Sequence, residues 1–244
     1  MPRAASRPSL SSPASVTEGD RYKITAKVPH MRDAKRIEFQ QFLPEYLGDS
    51  TPVWTAVRSR RVTNGGSLIL KMVADDSVTQ RIRAVITYTS GDRSTSRPAN
   101  VKIWHWINLY DFDAYYSAGA IWDSQFISFA MNGDTWLGWQ TYSSSSMWES
   151  RYTLGRHCKA FRGTLGLKDD SSDGTTATVT LLTDETTEVY TSPTLVPGAV
   201  EQVEFDLARP YRFSIQGRDT TPDSEATHVV HPAIGTPQFL CYFG

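Results

Sequence analysis

Aromatic side chains are the main chemical resource of this sequence. Its 244 residues include 7 Trp, 11 Tyr and 10 Phe, and six of the seven Trp lie between positions 104 and 148. Trp136, Trp139 and Tyr142 recur at every third position, between the turn Asn132-Gly133-Asp134 and a run of serines at 143–146. A flat ring packs on the apolar face of a sugar, while a few convergent amides and carboxylates bond its hydroxyls. Tyr115, Tyr116, Trp122, Trp136, Trp139, Tyr142 and Trp148 are therefore the candidate carbohydrate-binding residues. The same rings also fill the core of a small β-sandwich, so each has two readings, core or ligand contact.

Other clusters offer less. Asp169, Asp170 and Asp173 precede Gly174 in one turn. No cofactor is expected, though three carboxylates are an oxygen set that would suit a structural calcium. The alternative is a turn whose side chains cap the backbone. Asp111 and Asp113 alternate and would share one strand face, where glycoside hydrolysis needs two carboxyl groups about 5–10 Å apart. His228 and His231 would point to opposite faces of a strand and hold no common metal. No G-x-S-x-G elbow or phosphate-binding loop is present. Two cysteines, Cys158 and Cys241, are too few for a closed zinc site. These observations point to a protein that is not an enzyme.

Hydrophobic residues make up 39% and charged residues 21%, a composition that buries a core rather than staying disordered. No apolar run reaches the roughly 18–20 residues of a membrane span, so no membrane insertion is expected. The net charge of -1 hides an asymmetry. Residues 1–104 carry 17 Lys+Arg and 9 Asp+Glu, a net of +8, and residues 105–244 carry 8 and 17, a net of -9. The switch marks two units of different character. Arg58, Arg60, Arg61, Arg81 and Arg83 mostly alternate along strands, which reads as a solvated sheet face, and no nucleic-acid partner is expected.

The elements that must position these side chains are strands. Tyr22, Ile24, Ala26 and Val28 alternate; so do Ile37 with Phe39, Leu68 with Leu70 and Met72, and Ile82 with Ala84, Ile86 and Tyr88. Val101 and Ile103 close the series. In the second half, strand-like runs appear at 125–130, 159–167, 176–182, 188–190, 200–207, 211–216 and 237–243. Period-2 runs between turns of Gly, Asn, Asp and Ser predict antiparallel sandwiches. The fold class is all-β with two β-sandwich domains. An N-terminal arm (1–7) precedes one sandwich (8–103), and a jelly roll (104–244) follows. The joining segment 101–108 has no Pro or Gly cluster and reads as short and stiff.

Two resemblances add to this. The opening PASVTEGDRYKITAKV and the closing hairpin QRIRAVITYTSGDRSTSRPANVKI resemble bacterial immunoglobulin-like domains, without the antibody pair of cysteines around a core Trp. Residues 153–192 and 203–216 resemble the novel putative carbohydrate-binding module, NPCBM. The matching positions are Leu154, Gly155, Cys158, Phe161, Leu165, Gly166, Leu167, Asp169, Val179, Leu182, Asp184, Phe205, Asp206, Leu207, Phe213 and Ile215. The ending Pro237-Gln-Phe-Leu-Cys241 fits the same pattern, but 107–149 does not.

The resemblance implies a galactose-binding-like jelly roll and a glycan or cell-surface polysaccharide partner. It also implies a disulfide between Cys158 and Cys241, the alternative being two buried thiols. The expected function is a non-catalytic glycan-binding or adhesion protein, extracellular or on a virion surface. The rival is a phage virion accessory protein whose partners are capsid or tail proteins, or itself. MPRAASRPSLSSPASV has no apolar core of a secretory leader, so the expected routes out of the cell are removal of a leader or lysis.

Overall fold

The alternating runs become strands, and their apolar faces close on two separate cores. The computed structural model describes residues 7–43, 53–62, 68–143, 145–222 and 228–244. The chain divides into a first unit ending at His105 and a second spanning Trp106–Phe243. The division falls two residues past the expected boundary.

The first unit contains β1 (Ser9–Ser11), β2 (Ser15–Thr17), β3 (Arg21–Lys27), β4 (Ala34–Leu43), β5 (Val53–Arg61), β6 (Leu68–Val73), β7 (Thr79–Tyr88), β8 (Arg93–Thr95) and most of β9 (Ala99–Asn108). One sheet has the order β1-β3-β6. The other runs β9-β7-β4-β5, with β8 beside β7 and β2 parallel to β9. Ile24, Ala26, Leu68 and Leu70 from the first sheet meet Ile37, Phe39, Ile82, Ala84, Ile86, Val101 and Ile103 from the second in one core. Period-2 patterning fixes this register, since a one-residue slip would turn the apolar set outward. Trp54 is half-buried on the outer face, where its strand pairs it with Phe42.

The second unit contains β10 (Ala114–Ala118), β11 (Ile121–Met131), β12 (Asp134–Thr141), β13 (Met147–Thr153), β14 (Cys158–Leu167), β15 (Ala177–Thr183), β16 (Thr187–Thr191), β17 (Val200–Asp206), β18 (Arg212–Asp219) and β19 (Pro232–Cys241). One sheet has the order β10-β13-β18-β15-β16. The other runs β11-β12-β19-β14-β17, antiparallel throughout. Asn132 and Gly133, both at positive φ (54° and 77°), make the tight turn between β11 and β12. The inner faces of both sheets share one core around Trp139, Trp148, Tyr152, Phe161, Phe213 and Phe239.

Two side-chain hydrogen bonds cross this sandwich, and a disulfide joins neighbouring strands of one sheet. Trp139 Nε1 donates to Ser150 Oγ at 3.0 Å, from β12 to β13. Tyr152 Oη donates to Asp123 Oδ2 at 2.7 Å, from β13 to β11. Cys158 and Cys241 pair directly in register at the ends of β14 and β19 and form a disulfide.

Candidate functional site

The outer face of β14, β17 and β19 forms a groove of about 470 Å³. Its floor follows from register. Arg162 lies opposite Glu204 on one side and Gln238 on the other, and Thr164 lies opposite Gln202 and Gly235. Opposite residues share a face, so two polar rows run across three strands. The alternate residues, Phe161, Leu165, Phe239 and Ile234, face the core.

The floor is preorganised. Arg162 Nε donates to Gln238 Oε1 at 2.8 Å, and Gln238 Nε2 donates to Asn108 Oδ1 at 2.8 Å. The Arg162 guanidinium stands 4.0 Å over the Trp106 ring. Trp136 lies over Gly235, where a Cβ would collide with its ring. The Trp136 indole N–H is satisfied by the Met131 carbonyl at 3.1 Å, and the ring packs on Phe129, Met131 and Ala233. Only glycine at 235 lets indole and backbone approach this closely. The arrangement supplies a guanidinium, two amides and a carboxylate within one shallow concavity, with an indole beside each end of its strands.

The candidate aromatics separate into four groups. Trp139 and Trp148 are 0% exposed. This corrects the reading of them as ligand contacts, because a ring without accessible surface has no face to offer. Both are core rings with their N–H groups satisfied, Trp148 by the Ser143 carbonyl at 3.0 Å. Trp136 lies over Gly235, one of the residues that line the groove. Trp122 and Tyr142 form an exposed stack on the outer face of β11 and β12, with centroids 4.1 Å apart and planes at 22°. Register explains the pairing: Trp122 lies opposite Gln140, two residues before Tyr142.

Tyr115 and Tyr116 lie on the other sheet. A bulge in β10 turns both outward, and each ring has a guanidinium over it, Arg212 at 4.8 Å and Arg151 at 4.6 Å. Tyr115 also donates to Glu185 at 3.2 Å. Beneath them Glu149 is 5% exposed and accepts from Arg151 at 2.8 Å and Gln216 at 3.0 Å. Burial pushes the Glu149 carboxyl up, but these bonds and the Arg151 charge outweigh it and hold the carboxyl below its ordinary range.

Asp169, Asp170 and Asp173, the candidate calcium ligands, have separate surroundings. Asp169 accepts the Gly133 amide at 3.0 Å, Asp170 pairs with Lys168 and His231, and Asp173 is exposed. Among the described residues no three His, Cys, Asp or Glu side chains converge as a metal site. His228 pairs with Asp219 at 2.7 Å, away from His231 and its Asp170 partner. Asp111 ends a 3-10 turn (Leu109–Asp111) and Asp113 lies outside any strand, so they share no strand face. Among the described residues no helix is long and apolar enough to cross a membrane.

Sequence reasoning missed most of the groove. Arg162, Gln202, Glu204 and Gln238 sit on three strands distant in sequence. The usable signal was a polar pair two residues apart in each strand: Arg162 with Thr164, Gln202 with Glu204, and Thr236 with Gln238.

No protein-family profile matches the chain, and no curated protein gives a significant match. Among solved structures, the chain is similar to the M60 catalytic domain with the CBM51-1 and CBM51-2 domains from Clostridium perfringens ZmpB. Identity is 13% and the TM-score 0.45, over 96% of this chain and 31% of that one, so this chain spans about a third of its length. It is also similar to CBM51 from Clostridium perfringens GH95 in complex with methyl-galactose, at 14% identity and TM-score 0.43, covering 55% of this chain and 99% of that one. A third is CBM51-2 in complex with GlcNAc and INT domains from Clostridium perfringens ZmpB, at 12% identity and TM-score 0.43, covering 70% and 39%.

Proposed function

We propose that the second unit is a non-catalytic glycan-binding module and that its sugar lies in the groove on β14, β17 and β19. The observation that carries this reading is the cross-strand row Glu204–Arg162–Gln238, inside a concavity of about 470 Å³ beside Trp106 and Trp136. Its volume lies in the range of small-ligand sites, roughly 300–1,000 Å³. Arg162 donates to neighbouring hydroxyls as a rigid fork, Glu204 accepts from them, and Gln202 and Gln238 do either. The Trp106 ring and Gln238 hold the guanidinium before any ligand arrives, which lowers the ordering cost of binding.

Glu204 is the sole carboxylate lining this groove. Glycoside hydrolysis uses a pair, so the groove binds without cleaving. The disulfide fits residence in an oxidising environment outside the cytosol, where glycan surfaces are met.

The test is retention of the full chain on a panel of immobilised neutral polysaccharides and bacterial cell walls, followed by titration with the best binder. Wild type is expected to be retained. Arg162→Ala and Glu204→Gln, each removing a charged hydrogen-bond partner, are expected to weaken binding by about tenfold or more. Trp122→Ala, outside the groove, is expected to leave it unchanged. Absence of retention of folded wild type on the whole panel, or groove variants that bind like wild type, would sink the reading.

A further inference from the structure

The outer face of the first unit's larger sheet concentrates five arginines, none of which forms a salt bridge among the described residues. Register places Arg36 of β4 directly opposite Arg61 of β5, a like-charge pair that costs stability in a sheet. Arg83 of β7 lies opposite Gln40 on the same face, with Arg81 two residues before it. Arg93 of β8 pairs with Thr87 and joins this face. Burial and the Arg93 charge together lower the hold of Arg83 on its proton. Glu38 is the one carboxylate on the described part of the face, and it accepts from the Gln40 amide, whose oxygen takes the Arg83 Nε–H at 2.7 Å. None of the five guanidiniums forms a salt bridge among the described residues.

Two of these arginines are also held in place. Arg81 stands 4.6 Å over Phe42 and Arg83 4.2 Å over Trp54, and the two rings pack together with centroids 5.3 Å apart. Aromatic packing fixes the planes of both guanidiniums and leaves their N–H edges for a ligand. A forked N–H edge matches carboxylate, sulfate or phosphate oxygens.

We propose that this face, through Arg81 and Arg83 on their Phe42–Trp54 platform with Arg36, Arg61 and Arg93 around it, is a second binding surface for acidic polysaccharide. One observation favours that polymer over nucleic acid. Single strands are held by stacking bases on open ring faces, and here guanidiniums already stand over both rings. The inference stands apart from the groove of the second unit and involves none of its residues.

The experiment uses the full chain on immobilised heparin (sulfated) and polygalacturonate (carboxylated), with dextran and a single-stranded oligonucleotide as comparators. Retention is expected on at least one acidic polymer at low salt, lost as salt rises, with none on dextran. The R81Q/R83Q double variant is expected to lose about tenfold or more in affinity and to flatten the salt dependence. The groove variant Arg162→Ala is expected to bind the acidic polymer as wild type does. Should R81Q/R83Q fail to fold, the fully exposed pair R36Q/R61Q serves, with an expected loss of about threefold. Three results would overturn the proposal: no retention on either acidic polymer, folded arginine variants that bind unchanged, or tighter binding to the oligonucleotide than to both polysaccharides.

Discussion

Replacing Trp139 or Trp148 with alanine is expected to cost about 3–5 kcal/mol, the range for emptying a buried aromatic site. Trp139→Ala also leaves the buried Ser150 Oγ without its indole partner. Thermal unfolding checks the size of the loss, and a change below about 1 kcal/mol would contradict the core placement. Gly235→Ala works differently, because its methyl group drives the Trp136 ring off the groove floor. It is expected to lower both stability and glycan retention, with an overpacking cost of about 1–3 kcal/mol. At this scale the sequence was informative about residue type and weak about placement. Seven rings were candidates, and burial separates Trp139 and Trp148 from Trp122 and Tyr142, which the one-dimensional spacing of 136, 139 and 142 cannot do.

At the scale of the elements, alternation carried most of the reading. Ile24, Ile37, Leu70, Ile82 and Ile103 were expected inside and are buried there. β5 escaped notice because all but one of its residues are exposed, so no buried face imprinted a period on it. The groove escaped for a related reason: its rows form only when β14, β17 and β19 come into register.

The disulfide is the strongest element-level constraint. It links positions 83 residues apart, and closing such a loop is worth about 4 kcal/mol in the chain-entropy model. The C158S/C241S variant is expected to melt roughly 10–15 °C lower, by calorimetry. The Glu149 network on β13 and β18 sets the response to acid. Its carboxyl, like those of Asp170 and Asp219, is held below its ordinary range in the fold, by hydrogen bonds that outweigh burial. A depressed group stabilises fully above its unfolded value of about 4 and loses that contribution as pH falls through the folded value. Melting temperature is expected to decline below about pH 4. Glu149→Gln should lower it at neutral pH and shallow that decline, as thermal melts across the acid range would show.

For the whole molecule, the two cores close on different residues, Ile24 to Ile103 in one unit and Leu109 to Cys241 in the other. Calorimetry of the full chain is expected to resolve two transitions, with C158S/C241S lowering the one that belongs to the second unit. A single transition that moves as one would contradict it. The opposite net charges of the two halves then take on a meaning that a whole-chain value of -1 conceals. The basic half meets acidic polymer, and the second presents amides, one guanidinium and one carboxylate to hydroxyls.

One detail of the second unit bears on how copies of this chain behave toward one another. Between Ser124 and Phe129, the residues 125–128 of β11 stand opposite the single residue Leu137 of β12. The swelling is pinned by Gln140 Nε2 on the Ile127 carbonyl at 3.0 Å and puts Phe126 85% exposed. β11 is the end strand of its sheet, and a straight end strand is a template on which another molecule can lay its own backbone. The extra residues break that ladder midway. Deleting three of them would restore an even row of free amides and carbonyls. The shortened chain is expected to associate with rising concentration in analytical ultracentrifugation, while the natural one sediments at a constant rate.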